Sequence, residues 1–386
     1  NVQFTGLHCV GRQLIGFGRF ARIGRVEVTN IARWDAGRWY TLGGGLPGGT
    51  VRSLAERDNR LYVGGILSRA GKLTVTNVAC WDLGSETWSA LGDGLPGEVS
   101  VLAVSPDGLF AGWTAAGAVH VSSWTGSEWL TVASLTSPVG QRPADVFDMI
   151  WHDNSLVIAG NFSQINGTGL TNLARLKNGT WESVGDDALK TSPNRLAVAD
   201  GDLFVGTRFG EELVPSPLTA GVLRLRNNRW EVSLGPESGE ITALVGHGRE
   251  LFAVGKLAGN TPIGSGINPI YWQFDGERWS PLNGGISQPL VSEHLARHGE
   301  GVVVAMQNLK ALLFYDGTRF AEITNGPGTR SLNVSGSAAV VSDGRAAHAP
   351  ALLTIDGTPT NVIARLDGMA WTTATAPLAL GNAVIA

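Results

Sequence analysis

Two histidines with carboxylates near them are the strongest catalytic candidates in this sequence. Glu293 and His294 are neighbours in the chain, Asp148 opens a predicted strand, and His120 stands at a predicted turn. A histidine beside a carboxylate can act as a general acid or base near neutral pH. We therefore nominate these four residues as candidate catalytic groups, with solvated loop side chains as the alternative for each.

Further residues are candidates for binding a ligand rather than transforming it. Trp113 and His120 replace a glycine and an asparagine found in other copies of an internal repeat, and the sequence offers no packing reason. Arg195 opens a strand, and Glu211 and Glu212 lie in a long predicted loop. Since a guanidinium pairs well with a carboxylate, a tryptophan together with an arginine could hold an acidic sugar.

The elements that position these residues come from a repeat of about 48 residues. Residues 14–35 match residues 61–82 without a gap, ending in Asn-Ile-Ala-Arg-Trp-Asp and Asn-Val-Ala-Cys-Trp-Asp. In each copy an aromatic or aliphatic residue, a turn and a second aromatic residue follow one another. These pairs are Trp34/Trp39, Trp81/Trp88, Trp124/Trp129, Leu176/Trp181, Leu225/Trp230, Phe274/Trp279, Tyr315/Phe320 and Leu366/Trp371.

Each copy is typical of four short antiparallel strands joined by tight turns. A single sheet of this size cannot bury both faces, so the copies must stack on one another. The sequence therefore predicts an all-β fold, an eight-bladed β-propeller of four-stranded antiparallel blades, with residues 1–386 as one domain. The predicted repeats are 1–49, 50–97, 98–144, 145–192, 193–239, 240–289, 290–329 and 330–379, with 380–386 as a closing strand or the start of a further segment.

The repeat also resembles a known family. Gly64-Gly65, followed by Trp81 and then Trp88, is similar to the pattern of kelch repeats. The fuller string, with Asn-Ile-Ala-Arg-Trp-Asp, resembles repeats of secreted bacterial propeller proteins and of the fungal cortical-marker propeller. This resemblance implies a propeller fold and an extracellular, cell-surface or periplasmic setting. It implies no particular activity, because propellers host many functions.

The loops between the second and third strands of the repeats differ in length. Repeats 1, 2 and 4 have similar loops, repeats 5 and 6 have longer ones, and the longest is predicted in repeat 8, from Asp343 to Asn361. Repeats 3 and 7 are cut short, at Thr114–Val119 and Gln307–Lys310. Blades 3 and 7 are opposite in a ring of eight. We therefore predict a trough between them that suits an extended polymer.

Composition and motifs narrow the function further. Charged residues make up 16% of the chain and the net charge is −4, so no electrostatic argument favours nucleic acid as a partner. No run of residues approaches the roughly 20 apolar positions of a membrane span. Phosphate-loop, dinucleotide, Cys-x-x-Cys and His-Glu-x-x-His motifs are missing, so we expect no cofactor and no metal. Cys9 and Cys80 are expected to be isolated buried thiols, with a disulfide as the alternative.

Three functions remain open from the sequence. The first is an exported, non-catalytic recognition or scaffold propeller that binds a glycan or protein in the trough. The second is a polysaccharide-active lyase or hydrolase that uses the nominated histidines and carboxylates there. The third is a subunit of a larger extracellular assembly. The chain starts at Asn1 rather than Met, which is compatible with processing during export.

Overall fold

The computed structural model describes most of the chain between Gln3 and Thr373. Residues 1–2, 11–12, 24–25, 36–37, 107, 138–142, 186–188, 190–191, 209–220, 235–238, 258–267, 282–294, 299–300, 307–310, 316–319, 323, 326–331, 335–340, 343–346, 356–357, 368–369 and 374–386 lie outside the described part. Regular structure among the described residues is β-strand throughout, without a helix. The chain divides into two compact units, residues 1–50, 268–271 and 281–386 in one and residues 51–267 and 272–280 in the other.

The first repeat forms sheet 1. Its strands are β1 (Gln3–Val10), β2 (Gln13–Arg19), β3 (Arg22–Ile23), β4 (Val26–Glu27), β5 (Ile31–Asp35) and β6 (Arg38–Thr41). The sheet has the order β1-β2-β5-β6, and β3 and β4 form a small hairpin of their own between the second and third long strands.

Sheets 2, 3 and 4 follow in the second unit. Their strands are β7 (Thr50–Arg57), β8 (Arg60–Ile66), β9 (Arg69–Ala70), β10 (Leu73–Thr74), β11 (Val78–Asp82), β12 (Thr87–Ala90), β13 (Glu98–Val104), β14 (Leu109–Ala115), β15 (Ala118–Trp124), β16 (Trp129–Thr136), β17 (Asp145–His152), β18 (Ser155–Asn161), β19 (Gln164–Ile165), β20 (Leu173–Lys177) and β21 (Thr180–Ser183). Sheet 2 is β7-β8-β11-β12, sheet 3 is β13-β14-β15-β16-β19, and sheet 4 is β17-β18-β20-β21. Sheet 3 therefore gains a fifth strand, β19, from the loop of the next repeat.

Sheets 5 and 6 have the same four-stranded order. Their strands are β22 (Ser192–Ala199), β23 (Asp202–Arg208), β24 (Val222–Arg226), β25 (Arg229–Leu234), β26 (Gly239–His247), β27 (Glu250–Leu257), β28 (Asn268–Phe274) and β29 (Trp279–Pro281). The long loops predicted in these two repeats, residues 208–220 and 256–269, fall largely outside the described residues.

The last two repeats form sheets 7 and 8. Their strands are β30 (Leu295–His298), β31 (Gly301–Met306), β32 (Ala311–Tyr315), β33 (Phe320–Glu322), β34 (Thr324–Asn325), β35 (Leu332–Val334), β36 (Val341–Ser342), β37 (Ala347–Ile355), β38 (Thr358–Asp367) and β39 (Ala370–Thr373). Sheet 7 is β30-β31-β32-β33, and sheet 8 has the order β34-β39-β38-β37-β35 with β36 on β37. The short loop predicted at 307–310 lies outside the described residues.

The long loop predicted in repeat 8 is wrong. Residues 347–355 of that predicted loop form β37, which pairs with β38 over its whole length from Ala347↔Leu366 to Ile355↔Thr358. The second and third strands of repeat 8 are thus joined at Asp356-Gly357, a dipeptide that favours tight hairpin turns. The extra length of this repeat lies instead between β35 and β37.

The predicted pairs of aromatic or aliphatic residues are direct cross-strand neighbours in the third and fourth strands of their sheets. Trp81 faces Trp88 and Trp124 faces Trp129, with ring centroids 5.1 and 5.4 Å apart. The same register is found at Trp34↔Trp39, Leu176↔Trp181, Leu225↔Trp230, Tyr315↔Phe320 and Leu366↔Trp371. Seven of the eight predicted pairs are therefore confirmed as cross-strand neighbours.

The core of the second unit lies between the faces of successive sheets. Apolar side chains of sheets 2 and 3 form one buried cluster, and those of sheets 3 and 4, 4 and 5, and 5 and 6 form the next ones. A Cβ on Gly64 would stand 2.5 Å from Val99 Cγ1 of the following sheet, so the glycine lets the inner strand approach. A Cβ on Gly206 would meet Ile241 in the same way, at 2.8 Å.

Tryptophans of the fourth strands join each sheet to the one before it. The indole Nε1 donates to a carbonyl of the preceding repeat at Trp129 (Leu91 O, 3.1 Å), Trp181 (Val132 O, 2.8 Å) and Trp230 (Val184 O, 2.9 Å). Each of these three indoles is therefore both packed against a buried cluster and hydrogen-bonded across sheets.

Two smaller expectations can be compared with the structure. Cys80 is a buried free thiol, as expected, while the side chain of Cys9 lies outside the described residues. Within the described residues there is also no helix with the length and hydropathy needed to cross a bilayer.

Candidate functional site

The structure describes four of the nominated residues. They are Trp113 on β14, His120 on β15, Asp148 on β17 and Arg195 on β22. The other four lie outside the described residues, so their roles stay predictions: Glu211, Glu212, Glu293 and His294. The described four fall into two groups, a pair of rings within sheet 3 and a pair of charges on the inner strands of sheets 4 and 5.

The end of sheet 3 that carries the two rings is closed by a two-residue turn. Ala116 and Gly117 have φ angles of 51° and 81°, as tight hairpin turns require. β14 and β15 stay paired up to Ala115 and Ala118, so the short loop predicted in repeat 3 is confirmed. The neighbouring repeats 2 and 4 instead carry an extra hairpin here, closed at Ala70↔Leu73 and Ile165↔Thr168.

In repeat 2 the base of that extra hairpin is held by an asparagine. Asn77 has a φ of 63°, its Oδ1 accepts from Leu67 N (3.1 Å), and its Nδ2 donates to Leu95 O (2.9 Å). Asn30 makes the equivalent bonds in repeat 1. The left-handed backbone at Asn77 directs the side chain toward two distant loops.

Trp113 and His120 occupy the positions of Gly65 and Asn77 in the preceding repeat. Gly65 N donates to Asn77 O at 3.0 Å, where the hairpin leaves the sheet. In repeat 3 the hairpin is missing and the corresponding residues, Trp113 and His120, are ordinary cross-strand partners. Trp113 and His120, which replace the glycine and the asparagine of repeat 2, therefore occur together with the short turn as one local difference in repeat 3.

Trp113 has a packing reason that the sequence did not reveal. Its side chain is 6% exposed and lies in the cluster between sheets 2 and 3 with Leu91 and Leu95. Its Nε1 donates to Ser122 Oγ at 2.9 Å. In the next interface, between sheets 3 and 4, Phe162 of the repeat 4 loop is the corresponding buried ring. Trp113 therefore fills space that a loop residue fills elsewhere, and its role in binding a ligand stays a prediction.

His120 lies against Trp113 and contacts a serine. The two ring centroids are 4.4 Å apart with an interplanar angle of 31°. Nδ1 of the half-buried His120 is 3.0 Å from Ser134 Oγ on β16. A serine next to a histidine can be a nucleophile and its base. Here, however, the backbone N–H of Ser134 donates to Asn166 Oδ1 at 2.8 Å, so it is not available to an oxyanion.

Asp148 and Arg195 lie at equivalent positions of neighbouring inner strands, each directly after a β-bulge. Asp148 Oδ1 accepts from Met149 N at 2.9 Å, and Oδ2 accepts from Leu196 N of the next sheet at 2.9 Å. Burial raises the pKa of Asp148 to about 6, against the lowering effects of the Leu196 hydrogen bond and the Arg195 charge. Such a carboxyl could exchange a proton near neutral pH, but both its oxygens are engaged by backbone N–H groups.

Arg195 continues the same pattern into the following sheet. Its Nε donates to Thr242 O at 3.0 Å and its Nη1 to Asn194 O at 2.7 Å. Asn194 Nδ2 donates to Ile241 O at 2.9 Å. A bulge leaves backbone groups of a strand without ladder partners, and side chains of the preceding sheet supply them here. The structure thus gives Arg195 a role in joining sheets 5 and 6.

Sequence reasoning missed the residues that complete the sheet 3 site. Asn166 belongs to an Asn-Gly turn signal, but its contact with Ser134 of the preceding repeat depends on how β19 pairs with β16. Ser134 carries no sequence signal. Across the part of the chain that the structure describes, no three His, Cys, Asp or Glu side chains are grouped as a metal site requires.

Comparisons with known proteins support the fold. A family model described as "Domain of unknown function (DUF5122) beta-propeller" matches residues 152–179. The β-propeller domain of the Trilobed protease from Pyrococcus furiosus, which has an open velcro topology, is similar at a TM-score of 0.51 and 9% identity, over 85% of this chain and 98% of that one. The computationally designed Ika8 protein is similar at a TM-score of 0.54 and 16% identity, over 93% and 95%. A comparison with curated proteins found no match.

These likenesses show a β-propeller fold and nothing finer. The matched family segment covers the last residue of β17, β18, the repeat 4 hairpin and β20, which is part of one repeat. Identities of 9% and 16% carry no information about a ligand or an activity.

Proposed function

We propose that this chain is an eight-bladed, kelch-like recognition propeller displayed outside the cell. It binds an extended glycan or protein strand on the face where the loops between second and third strands emerge. The polymer enters at blade 3, where this loop is short, and the sequence predicts a second short loop in repeat 7. The eight sequence repeats support the blade count, and the two-residue turn at 116–117 supports the low point at blade 3.

The two-residue turn of repeat 3 carries this proposal. It stands between repeats whose loops form extra hairpins, and the replaced residues Trp113 and His120 lie directly below it. On a rigid frame, one short loop between two longer ones leaves a step at the edge of the loop-bearing face, and an extended molecule can enter there. Half-buried His120 and Ser134 offer hydrogen-bonding groups beside this step.

A binding role fits the described residues better than catalysis. The carboxylate oxygens of Asp148 accept from backbone N–H groups, and the guanidinium of Arg195 donates to two backbone carbonyls. The serine beside His120 has its own N–H engaged by Asn166. Each nominated group that the structure describes thus has a partner that holds sheets or strands together, whereas a catalytic group must be open to the substrate.

The purified protein tests this function on arrays of glycans and of peptides. We expect retention of at least one ligand class without any change in it, measured as new reducing ends or unsaturated products. His120→Ala should weaken retention, while Asp200→Ala, at a turn at the opposite end of its sheet, should leave it unchanged. Turnover of a retained polysaccharide, or the absence of any retained molecule, would contradict the proposal.

A further inference from the structure

The hairpin of repeat 2, residues 66–76, exposes apolar side chains beside the step in sheet 3. Ile66 is 47% exposed and Leu73 is 38% exposed. The other exposed large apolar residues in the described part of the chain, Tyr40, Leu130 and Val232, lie on fourth strands of three different sheets. Ile66 and Leu73, by contrast, both lie on one short hairpin, which therefore exposes two large apolar side chains.

The same hairpin carries two cations that have no acidic partner among the described residues. Both are exposed: Arg69 lies on β9, and Lys72 lies in the turn between β9 and β10. By contrast, the three arginines on the long strands of sheet 2 all form ion pairs. These pairs are Arg52–Glu98, Arg57–Asp58 and Arg60–Asp82. Among the described residues of repeat 2, the cations without an acidic partner are thus the two on the hairpin.

The hairpin is a well-supported platform. Ala70 and Val75 are buried beneath it at 1% and 6% exposure, and Asn77 fixes its base. Asn77 Nδ2 also bonds Leu95 O, in the loop that leads to sheet 3. The backbone of the hairpin is therefore held in place before a ligand arrives, so binding need not order it.

We propose that this hairpin, with Ile66, Arg69, Lys72 and Leu73, docks an acidic polypeptide segment that carries apolar anchor residues. The two free cations require acidic groups for charge complementarity. The two aliphatic side chains require apolar partners, which a peptide with Leu, Val or Phe supplies and a polyuronate does not. This inference rests on the proposed recognition function and chooses a peptide over a glycan.

A peptide array tests the partner chemistry. The probes are extended peptides in which Asp or Glu alternate with Leu or Val, the same peptides with Lys in place of the acids, and polygalacturonate oligosaccharides as the glycan probe. We expect the acidic peptides to be retained, with an affinity that falls as salt is added because exposed charges are screened. The Lys peptides and the oligosaccharides should not be retained.

Two double variants locate the site. R69E/K72E should weaken the acidic peptide about tenfold or more, and I66S/L73S should weaken it by a similar factor. The control R60E/R249E changes the charge by the same amount at turns at the other end of sheets 2 and 6, and should leave affinity within about twofold. Thermal unfolding of all three variants, compared with the parent, shows that the fold is kept.

The outcomes separate this inference from the proposed function. Retention of a peptide or glycan that R69E/K72E leaves unchanged overturns the hairpin site while recognition stands. Retention of polygalacturonate that depends on Arg69 and Lys72 overturns the choice of a peptide. A protein that retains none of the probes on any array removes both.

Discussion

The imidazole of His120 lies against the indole of Trp113, with ring centroids 4.4 Å apart, at the position where the preceding repeat has Asn77 and Gly65. Repeat 3 thus replaces a braced hairpin with two stacked rings and a tight turn. The indole is buried between sheets and the imidazole is half-exposed at the rim. The two rings consequently have different tasks, and substitutions should separate them.

Trp113→Ala should cost about 3–5 kcal/mol of stability, because it opens a cavity between sheets 2 and 3 and leaves Ser122 without its donor. His120→Ala should cost about 1 kcal/mol, since it removes one hydrogen bond and a half-exposed ring. Urea unfolding followed by tryptophan fluorescence and circular dichroism measures both. Equal losses in the two variants would contradict the division of tasks.

Asn77 should be sensitive both to its side chain and to its backbone. Asn77→Gly keeps access to the left-handed conformation and loses the bonds to Leu67 N and Leu95 O, at a cost of about 1–2 kcal/mol. Asn77→Ala loses the same bonds and adds about 1–2 kcal/mol for a φ of 63°. Urea unfolding measures both variants, and the alanine variant should have the lower unfolding midpoint. An alanine variant as stable as the glycine variant would be evidence against the strained backbone.

Asp148 should make the protein less stable as pH rises. Burial raises its pKa from 3.8 to about 6 in the folded chain, so the folded state holds this proton more tightly than the unfolded state does. The stabilising effect of protonation is complete below the unfolded pKa and is lost as pH rises through the folded pKa. The stability of the parent relative to Asp148→Asn should fall by roughly 1–3 kcal/mol between about pH 4 and pH 7.

Asp82 provides a control of opposite sign for that measurement. Backbone N–H groups of Ser85 and Gly84 hold the pKa of Asp82 below its usual value, with the Ser85 bond as the main cause. Its contribution is present above the unfolded pKa and is lost on acidification. The parent should therefore gain stability relative to Asp82→Asn as pH rises toward the unfolded pKa of 3.8, which lies below the range in which Asp148 acts, so the pH series must extend into acid. The same trend for both variants would mean that the Asp148 assignment is wrong.

Arg224 is a buried cation paired with Asp202, and a double-mutant cycle can measure the coupling energy between the two residues. It is 8% exposed, its Nε donates to Asp202 Oδ2 at 2.7 Å, and its guanidinium carbon lies 5.3 and 5.5 Å from the ring centroids of Phe204 and Phe274. Asp202→Ala should cost about 3 kcal/mol, because it leaves a buried charge without its carboxylate.

Arg224→Met removes the charge and keeps most of the volume, so its cost should be small. In the double variant the loss caused by Asp202→Ala should shrink to about 1 kcal/mol. Urea unfolding of the four proteins gives the coupling energy. Additive losses would show that Asp202 and Arg224 do not depend on each other.

Features fixed by local sequence were predictable. Trp81 and Trp88 lie on either side of a turn, so any four-stranded repeat that pairs its third and fourth strands brings them together. The short loop of repeat 3 was also readable, because Ala116-Gly117 leaves no residues for a hairpin. In both cases residues close together in the sequence determine the contact, so the repeat pattern is enough to predict it.

Features that depend on contacts with other repeats could not be predicted from the sequence. The partners of Asn77 are 10 and 18 residues away, and the bond from Leu196 N to Asp148 crosses between sheets. The burial of Trp113 depends on what the preceding sheet leaves open. In repeat 8 the eroded pattern hid β37, although Asp356-Gly357 is a signal for a hairpin turn.

The pairing of β19 with β16 means that the covalent repeat and the folded unit have different boundaries. A graft or deletion cut at residue 145 would strip sheet 3 of its outermost strand and of the Asn166 bonds to Ser134 and Val132. A segment that keeps β19 with the third sheet must also carry β17 and β18 of sheet 4, so these neighbouring repeats cannot be exchanged one at a time.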